Sequence, residues 1–228
     1  GDYQALLKAT VEASEDGKFV YSKPFIHFID YMDAKGNFYL DDGQWYQFDK
    51  NYLTNIRAAV DRIDLDFNPE IIDFDETSYK TWYANQTEKD QKYREQYLNC
   101  QLQEGYGFLN WDRAEDSFEK LKIEIADLYK DGAIYFVKIG EPQYLSGAID
   151  QAMATMKMLE RQKFQVSVDG VDHEINKISL WLFFVRKGRI SQVSEVKSLI
   201  FLMKLASWRK AVLLSGRKAE IRISYKQP

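Results

Sequence analysis

The sequence is poor in cysteine, histidine and proline, and each shortage excludes a kind of protein. Its one cysteine, Cys100, cannot form an intrachain disulfide, which excludes a disulfide-stapled secreted scaffold and suits a reducing compartment. Two histidines, His27 and His173, provide too little material for a histidine-based zinc site. We expect His27 on a strand and His173 in an exposed turn. Four prolines leave no proline-rich linker.

Long apolar runs are missing as well. No stretch approaches the roughly 18–20 consecutive apolar residues that span a bilayer. The N-terminus, GDYQALLKATVEASEDGKF, lacks the order of a basic segment followed by an apolar one that marks a signal peptide. We therefore expect a cytoplasmic protein without a membrane segment. The chain starts without Met inside a predicted helix, so we also expect a fragment of a longer protein or a trimmed chain.

The chain has no excess of positive charge. Its 31 Lys and Arg against 35 Asp and Glu give a net charge of −4, which excludes a uniformly basic coat for nucleic acid. The C-terminal third nevertheless has basic residues around Trp208, which predict a local nucleic-acid-binding surface. The alternative is that they complement helix C-termini. They are Arg186, Lys187, Arg189, Lys204, Arg209, Lys210, Arg217 and Lys218.

Hydrophobic residues make up 45% of the chain and aromatic residues 15%, enough for a substantial core. Their spacing predicts alternating strands and helices. Helices are predicted at 2–14, 52–64, 86–103, 144–162 and 195–214, and strands at 24–32, 106–112, 121–129, 133–139, 164–170, 178–187 and 219–225. We expect a hairpin over 37–49, turned at Asp42 and Gly43. Asp49 or Asn51 is predicted to cap the second helix, Ser194 to cap the last, and Gly105 and Gly107 to end the third.

The order of these elements predicts the fold class. From residue 86 onward it is helix, three strands, helix, strand, helix, strand, which predicts an α/β (α+β) fold with a mixed central sheet flanked by helices. The first three strands form an antiparallel meander, and the later ones can run parallel. The irregular, acidic segment 65–82 is the best internal boundary. We therefore expect an N-terminal region, 1–68, packed on a core formed by 69–228.

The stretch IEIADLYKDGAIYFVKIG predicts two strands around a tight turn, and the length of the turn decides which side chains meet. A two-residue turn, Asp131–Gly132, sets Lys138 next to Asp127. A three-residue turn, Lys130–Gly132, sets Lys138 opposite Glu124. Because the second register gives one continuous apolar face, we predict Glu124 rather than Asp127 as the partner of Lys138.

Four side chains form the candidate site. They are Glu95 on a helix, Asp112 and Glu124 on successive strands, and Lys138 on the next strand. Carboxylate oxygens suit Mg²⁺ or Mn²⁺, so Asp112 and Glu124 are predicted metal ligands. Lys138 would assist the attacking water, and Glu95 would support it from the helix. A plain cross-strand salt bridge between Glu124 and Lys138, worth about 0.2–1 kcal/mol, is the structural alternative.

This order of acids and lysine resembles the core of the PD-(D/E)XK nucleases, a restriction-endonuclease-like fold of helix, three-strand meander, helix and strand. The resemblance implies metal-dependent cleavage of nucleic acid. That pattern has a lysine two residues after the second acid, where this chain has Ala126. Lys138 would then be a migrated lysine that reaches the site from the neighbouring strand.

A wider resemblance covers most of the chain. It is carried by DGQWYQFD, EQYLN, FLNWD, IEIADLYKDGAIYFVK, YLSGAIDQ and ISLWLFFVRKGRI…LASWRKAVLLSGRKAEIRIS. These segments resemble a sporadically distributed bacterial family of unknown function, whose lysine block reads His-Val-Lys where this chain has Phe136, Val137 and Lys138. Such a distribution implies defence against phages or mobile elements. We expect a nuclease-like domain that acts on nucleic acid. The alternative is a non-catalytic module of the same fold that binds nucleic acid, a partner protein or a second copy of itself.

Overall fold

The structure is a computed structural model, and its contacts divide the chain into two units, 1–56 and 57–228. It describes residues 5, 8–15, 18–29, 31–32, 38–41, 43–47, 49–86, 93–112, 115–118, 121–168 and 170–227.

The first unit contains two small antiparallel sheets with a 3₁₀ helix between them. The strands of these sheets are β1 (Thr10–Glu15) and β2 (Lys18–Pro24), then β3 (Tyr31–Met32), β4 (Phe38–Asp41) and β5 (Gln44–Gln47). In the second sheet Asp41 pairs with Gln44, as the predicted hairpin requires. Gly43 has a positive φ of 75°, which glycine adopts without strain.

Two sequence predictions in this unit are wrong. The helix predicted over 2–14 fails for residues 10–14, because that segment pairs with β2 along its length; residues 1–4 and 6–7 lie outside the described part. The strand predicted over 24–32 is interrupted by the 3₁₀ helix Phe25–Phe28. Pro24 precedes it with a φ of −54°, a value suited to a helix start.

Helix α1 (Lys50–Val60) begins in the first unit and ends in the second. Asp49 caps it, because its Oδ1 accepts hydrogen bonds from the backbone N–H groups of Asn51 at 2.6 Å and Tyr52 at 3.1 Å. Of the two predicted caps, Asp49 is therefore the one that the structure uses.

The second unit has a six-stranded sheet as its centre. Its other elements are β6 (Asp64–Asp66), α2 (Glu76–Asn85), α3 (Arg94–Tyr106), β7 (Leu109–Asn110), β8 (Glu115–Phe118), β9 (Leu121–Glu124), β10 (Leu128–Lys130), β11 (Ala133–Gly140), α4 (Pro142–Arg161), β12 (Gln165–Val168), β13 (Val171–Glu174), β14 (Lys177–Val185), α5 (Leu199–Leu214) and β15 (Lys218–Lys226).

The strand order of the central sheet is β6-β15-β14-β11-β10-β7. β6, β15, β14 and β11 run parallel, whereas β10 is antiparallel to both β11 and β7. The predicted mixed α/β sheet flanked by helices is confirmed. β6 lies at its edge, although the sequence assigned residues 64–66 to the N-terminal region.

Helices cover both faces of this sheet. One face packs against α2, α3 and the segment before α2, through a cluster that includes Tyr97, Leu98, Leu102, Tyr135 and Trp181. On the other face α4 contacts β11 and β14, and α5 contacts β15. Successive residues of β11 and β14 are therefore buried on both sides, as is usual for parallel strands in α/β proteins.

Helix ends in this unit follow local signals that the sequence located in part. α3 ends at Gly107, whose φ of 72° is the left-handed conformation expected of a C-cap glycine. The predicted cap of the last helix is wrong by one turn. Ser198, whose Oγ accepts from the N–H of Phe201, caps α5, while Ser194 lies in a separate 3₁₀ turn.

Candidate functional site

The parallel strands bring several charged residues to one edge of the sheet. β11 ends at Gly140, β14 at Val185 and β15 at Lys226, and these ends are neighbours because Gly140 pairs with Phe184 and Val185 with Lys226. Ligands in open α/β sheets bind at this carboxyl edge.

A cleft of about 380 Å³ opens at this edge. We call it the carboxyl-edge cleft and define it by its lining residues, which come from α2, from the start of α3 and from the strand ends. They are Tyr79, Tyr93, Arg94, Glu95, Ile139, Val185 and Lys226.

Two of the predicted site residues meet here. Lys138 Nζ lies 3.3 Å from Glu95 Oε1, and the side chains are 41% and 17% exposed, respectively. Glu95 is in the first turn of α3, where a negative side chain is favoured by the helix dipole. The ion pair therefore joins the beginning of α3 to the end of β11.

A second ion-pair group lies beside the first. Arg94 donates to Glu76 through Nε at 3.3 Å and Nη2 at 2.9 Å, and Lys226 Nζ lies 3.4 Å from Glu76. The hydrogen bond from Arg94 holds the pKa of Glu76 below its ordinary value. The same bond raises the pKa of Arg94.

The position of Glu76 is fixed by the N-cap of α2. Asp75 accepts hydrogen bonds from the backbone N–H groups of Thr77 and Ser78 at 2.9 and 3.1 Å and from the Ser78 hydroxyl at 2.6 Å. The Ser78 hydroxyl bond is the main cause of a lowered Asp75 pKa. Glu76 is the next residue, so the cap directs it towards Arg94. No local sequence pattern identifies this group, because its members are far apart in the chain.

Asp112 is connected to the cleft through Tyr93. The Tyr93 hydroxyl donates to Asp112 Oδ2, and the N–H of Asp112 donates to Asn110 Oδ1 at 3.1 Å. Asp112 therefore follows β7 in an ordered turn, one hydrogen bond away from a residue that lines the cleft.

The predicted register between Lys138 and Glu124 is wrong. Lys130 pairs with Ala133 across a two-residue turn, and β9, which carries Glu124, pairs with β8. Asp131 and Gly132 have φ values of 48° and 76°, as in the type I′ turn that Asp-Gly favours. The apolar-face criterion failed because β11 is buried on both faces, so either register matches an apolar surface.

Asp127, which is not the predicted partner of Lys138, has a defined place in this register. The residue is 8% exposed, and its carboxylate accepts a hydrogen bond from the N–H of Val137 at 2.7 Å. Its own N–H donates to the carbonyl of Tyr135 at 3.1 Å. Asp127 therefore contacts the backbone of β11 directly before Lys138. The Asp131–Gly132 dipeptide favours a two-residue turn, and that turn sets Lys138 next to Asp127. It was the local signal that could have identified Asp127.

The donor chemistry of the predicted site suits Mg²⁺ or Mn²⁺, since it consists of carboxylates. Among the described side chains, no group of three or more His, Cys, Asp and Glu residues could hold a metal ion. The side chain of Glu124 lies outside the described part, so its role as a ligand with Asp112 stays a prediction. Mg²⁺ commonly binds through one or two carboxylates, and water and substrate phosphate complete its coordination. The two predicted ligands, Asp112 and Glu124, are compatible with such a site.

The remaining candidates have structural partners. His173 lies on β13 rather than in a turn, with its ring 5.1 Å from Trp111 and 4.6 Å from Tyr129 between centroids. Burial raises the pKa of the Cys100 thiol, which disfavours the nucleophilic thiolate. Among the C-terminal basic residues, Arg189 pairs with Asp73 at 2.7 Å, and Lys204 with Asp150 at 2.7 Å. A nucleic-acid surface formed by these residues stays a prediction.

The fold and the edge site define a mixed α/β domain with a charged cleft at the carboxyl ends of its parallel strands. Residues 4–203 match the model of a family described as Family of unknown function (DUF6119), and the chain belongs to this family. No curated protein and no solved structure matches the chain. In the described part, no helix is both long enough and apolar enough to cross a membrane.

Proposed function

We propose that this chain is a cytoplasmic, metal-dependent nuclease-like domain that hydrolyses phosphodiester bonds in nucleic acid. The observation that carries the proposal is the pairing of Lys138 with Glu95 at the carboxyl edge, beside a cleft that also contains Arg94 and Lys226. Lysine and carboxylate at one edge are the residue types that phosphodiester hydrolysis uses.

The sheet order supports this proposal. In the chain, α3 is followed by β7, by the separate β8–β9 hairpin, and then by β10 and β11. In the sheet β7, β10 and β11 are antiparallel neighbours, and β14, which follows α4, runs parallel to β11. Apart from the inserted hairpin, this order is compatible with the resemblance to the PD-(D/E)XK core. The lysine is on the third strand of the meander, at the end where the cleft opens.

Each residue then has a proposed role. Lys138 would place its ammonium against a phosphate oxygen or orient the attacking water, and Glu95 would hold that ammonium at the edge. Asp112, held by Tyr93, and Glu124 would hold Mg²⁺ or Mn²⁺. A bound divalent cation supplies a water of lowered pKa and offsets negative charge on the phosphate. Asp127 supports Lys138 through the backbone of β11.

The proposal is tested by incubating the purified chain with labelled DNA and RNA in Mg²⁺ or Mn²⁺. We expect cleavage by the wild type and at least a 100-fold loss, on the order of a removed electrostatic catalyst, in Lys138→Ala and Glu95→Gln. Lys157→Ala, an exposed change on α4, is the matched control and should cleave normally. Cleavage by Lys138→Ala at the wild-type rate would refute the site.

A second candidate function is a non-catalytic binding module, and one residue favours it. The lysine block of the family that this chain resembles has a histidine two residues before the lysine, where this chain has the fully buried Phe136. A phenylalanine cannot ligate a metal, whereas a histidine can. The wild type would then bind nucleic acid or a protein without cutting, and Mg²⁺ or Mn²⁺ would not raise its melting temperature. A metal site should raise that temperature progressively with the logarithm of metal concentration above the dissociation constant. The setting we propose for either function is defence against phages or mobile elements, which a plaque assay with the Lys138→Ala variant would test.

A further inference from the structure

The carboxyl-edge cleft contains a set of cations suited to an anion. Arg94 comes from the start of α3 and Lys226 from the end of β15, so two separate elements direct positive charge to one opening. Glu95, which also lines the cleft, is offset by Lys138 at 3.3 Å. Glu76, which pairs with both Arg94 and Lys226, offsets one of their two positive charges. One positive charge remains, and it favours a negatively charged ligand.

Glu76 holds these two cations in place without being among the lining residues. Its contacts use Nε and Nη2 of Arg94, and a guanidinium has five N–H donors, so these contacts within the described part of the chain leave the Nη1 donors for a ligand. The two bonds to Glu76 hold the plane of the guanidinium, whose carbon also lies 5.2 Å from the ring centre of Tyr79 in a cation–π contact. Arginine in a fixed plane binds phosphate oxygens in pairs, and lysine adds a point charge.

The other described residues of the lining are apolar or aromatic. Ile139 and Val185 lie at the strand ends, and Tyr93 adds an aromatic ring beside them. A ligand that combines a phosphate with a planar, partly apolar group fits such a lining. A volume of about 380 Å³ suits a single unit of that kind rather than a duplex.

We propose that the carboxyl-edge cleft binds one nucleotide of a single-stranded nucleic acid, with its phosphate between Arg94 and Lys226. The proposal rests on the proposed function for the class of substrate and adds the residues that select and place it. Arg94 and Lys226 bind the phosphate directly, and Lys138, paired with Glu95 of the lining, would lie next to the bond that is cut.

The test measures binding in EDTA, where metal-dependent cleavage cannot occur. The probe is a short fluorescein-labelled oligo(dT) strand, followed by fluorescence anisotropy, with inorganic phosphate and thymidine monophosphate as competitors. Arg94→Ala and Lys226→Gln should each weaken binding about 10-fold, the loss expected for a charge-assisted hydrogen bond. Each should also reduce the slope of log affinity against log salt by about 0.7, one phosphate contact on a single strand. Lys157→Ala should change neither.

The outcomes separate the two proposals. If both cleft variants bind like the wild type while Lys138→Ala has lost cleavage, the phosphate site is refuted and the proposed function stands. If both variants lose binding but the wild type never cleaves, the phosphate site stands and the nuclease proposal fails. Competition by thymidine monophosphate at concentrations similar to those of the strand supports the cleft but identifies a free nucleotide as the ligand. No binding by the folded wild type refutes the cleft assignment, and thermal melting of each variant excludes loss of folding as the cause.

Discussion

Asp127 provides the sharpest test of how the strand carrying Lys138 is held. Its buried carboxylate accepts the N–H of Val137, a residue that is 2% exposed. Asp127→Ala would leave that N–H without its acceptor in a site closed to water. Removing one partner of a buried hydrogen bond costs about 1–3 kcal/mol, more when the partner is charged. We expect the free energy of unfolding to fall by about 2 kcal/mol and the melting temperature by about 4–8 °C.

The measurement is urea unfolding followed by tryptophan fluorescence, with two matched variants. Asp127→Asn keeps a carbonyl acceptor and should cost less than about 1 kcal/mol. Asp150→Ala removes an exposed carboxylate that pairs with Lys204 and should also cost less than about 1 kcal/mol. An Asp127→Ala protein as stable as the wild type would refute the reasoning. If a stably folded Asp127→Asn protein lost cleavage, Asp127 would also have a direct role in the proposed nuclease site.

Two further predictions concern charge and backbone strain. Burial acts to raise the pKa of Glu220, but Lys177 and Arg222 outweigh it and hold the pKa below its ordinary 4.5. Its stabilising contribution is therefore present above pH 4.5 and lost as the pH falls through the lower folded-state pKa. The stability gap between the wild type and Glu220→Gln should shrink between pH 7 and pH 3 in urea titrations, and a constant gap would contradict this. Lys163 has a left-handed φ of 55°, so Lys163→Gly should raise the melting temperature by about 2–4 °C. Gly170→Ala, at a φ of 78°, should lower the melting temperature. A change of the melting temperature in the same direction and by the same amount in both variants would refute the role of backbone strain.

Elements with strong local signals were predictable from the sequence. The apolar spacing located α4 and α5, the alternation located β11, β14 and β15, and their order predicted a mixed sheet. Weak signals at the N-terminus failed, since residues 10–14 pair with β2 and override a modest helical pattern.

The candidate site was predictable only in its parts. Glu95 and Lys138 were selected by residue type and by their place on a helix and a strand, and the structure brings them within 3.3 Å. Glu124 was selected by a register argument that assumed one buried face. That assumption fails for a central strand covered by helices on both sides.

The sequence by itself determined the periodicities and the supply of acids and lysines, and it narrowed two helix ends to Asp49 or Asn51 and to Gly105 or Gly107, because these depend on neighbours within a few residues. The tertiary structure alone decided which charges meet. Glu76, Arg94 and Lys226 share one cleft edge only because α2 and α3 begin where the parallel strands end. Such contacts depend on packing between distant segments, and no local pattern specifies them.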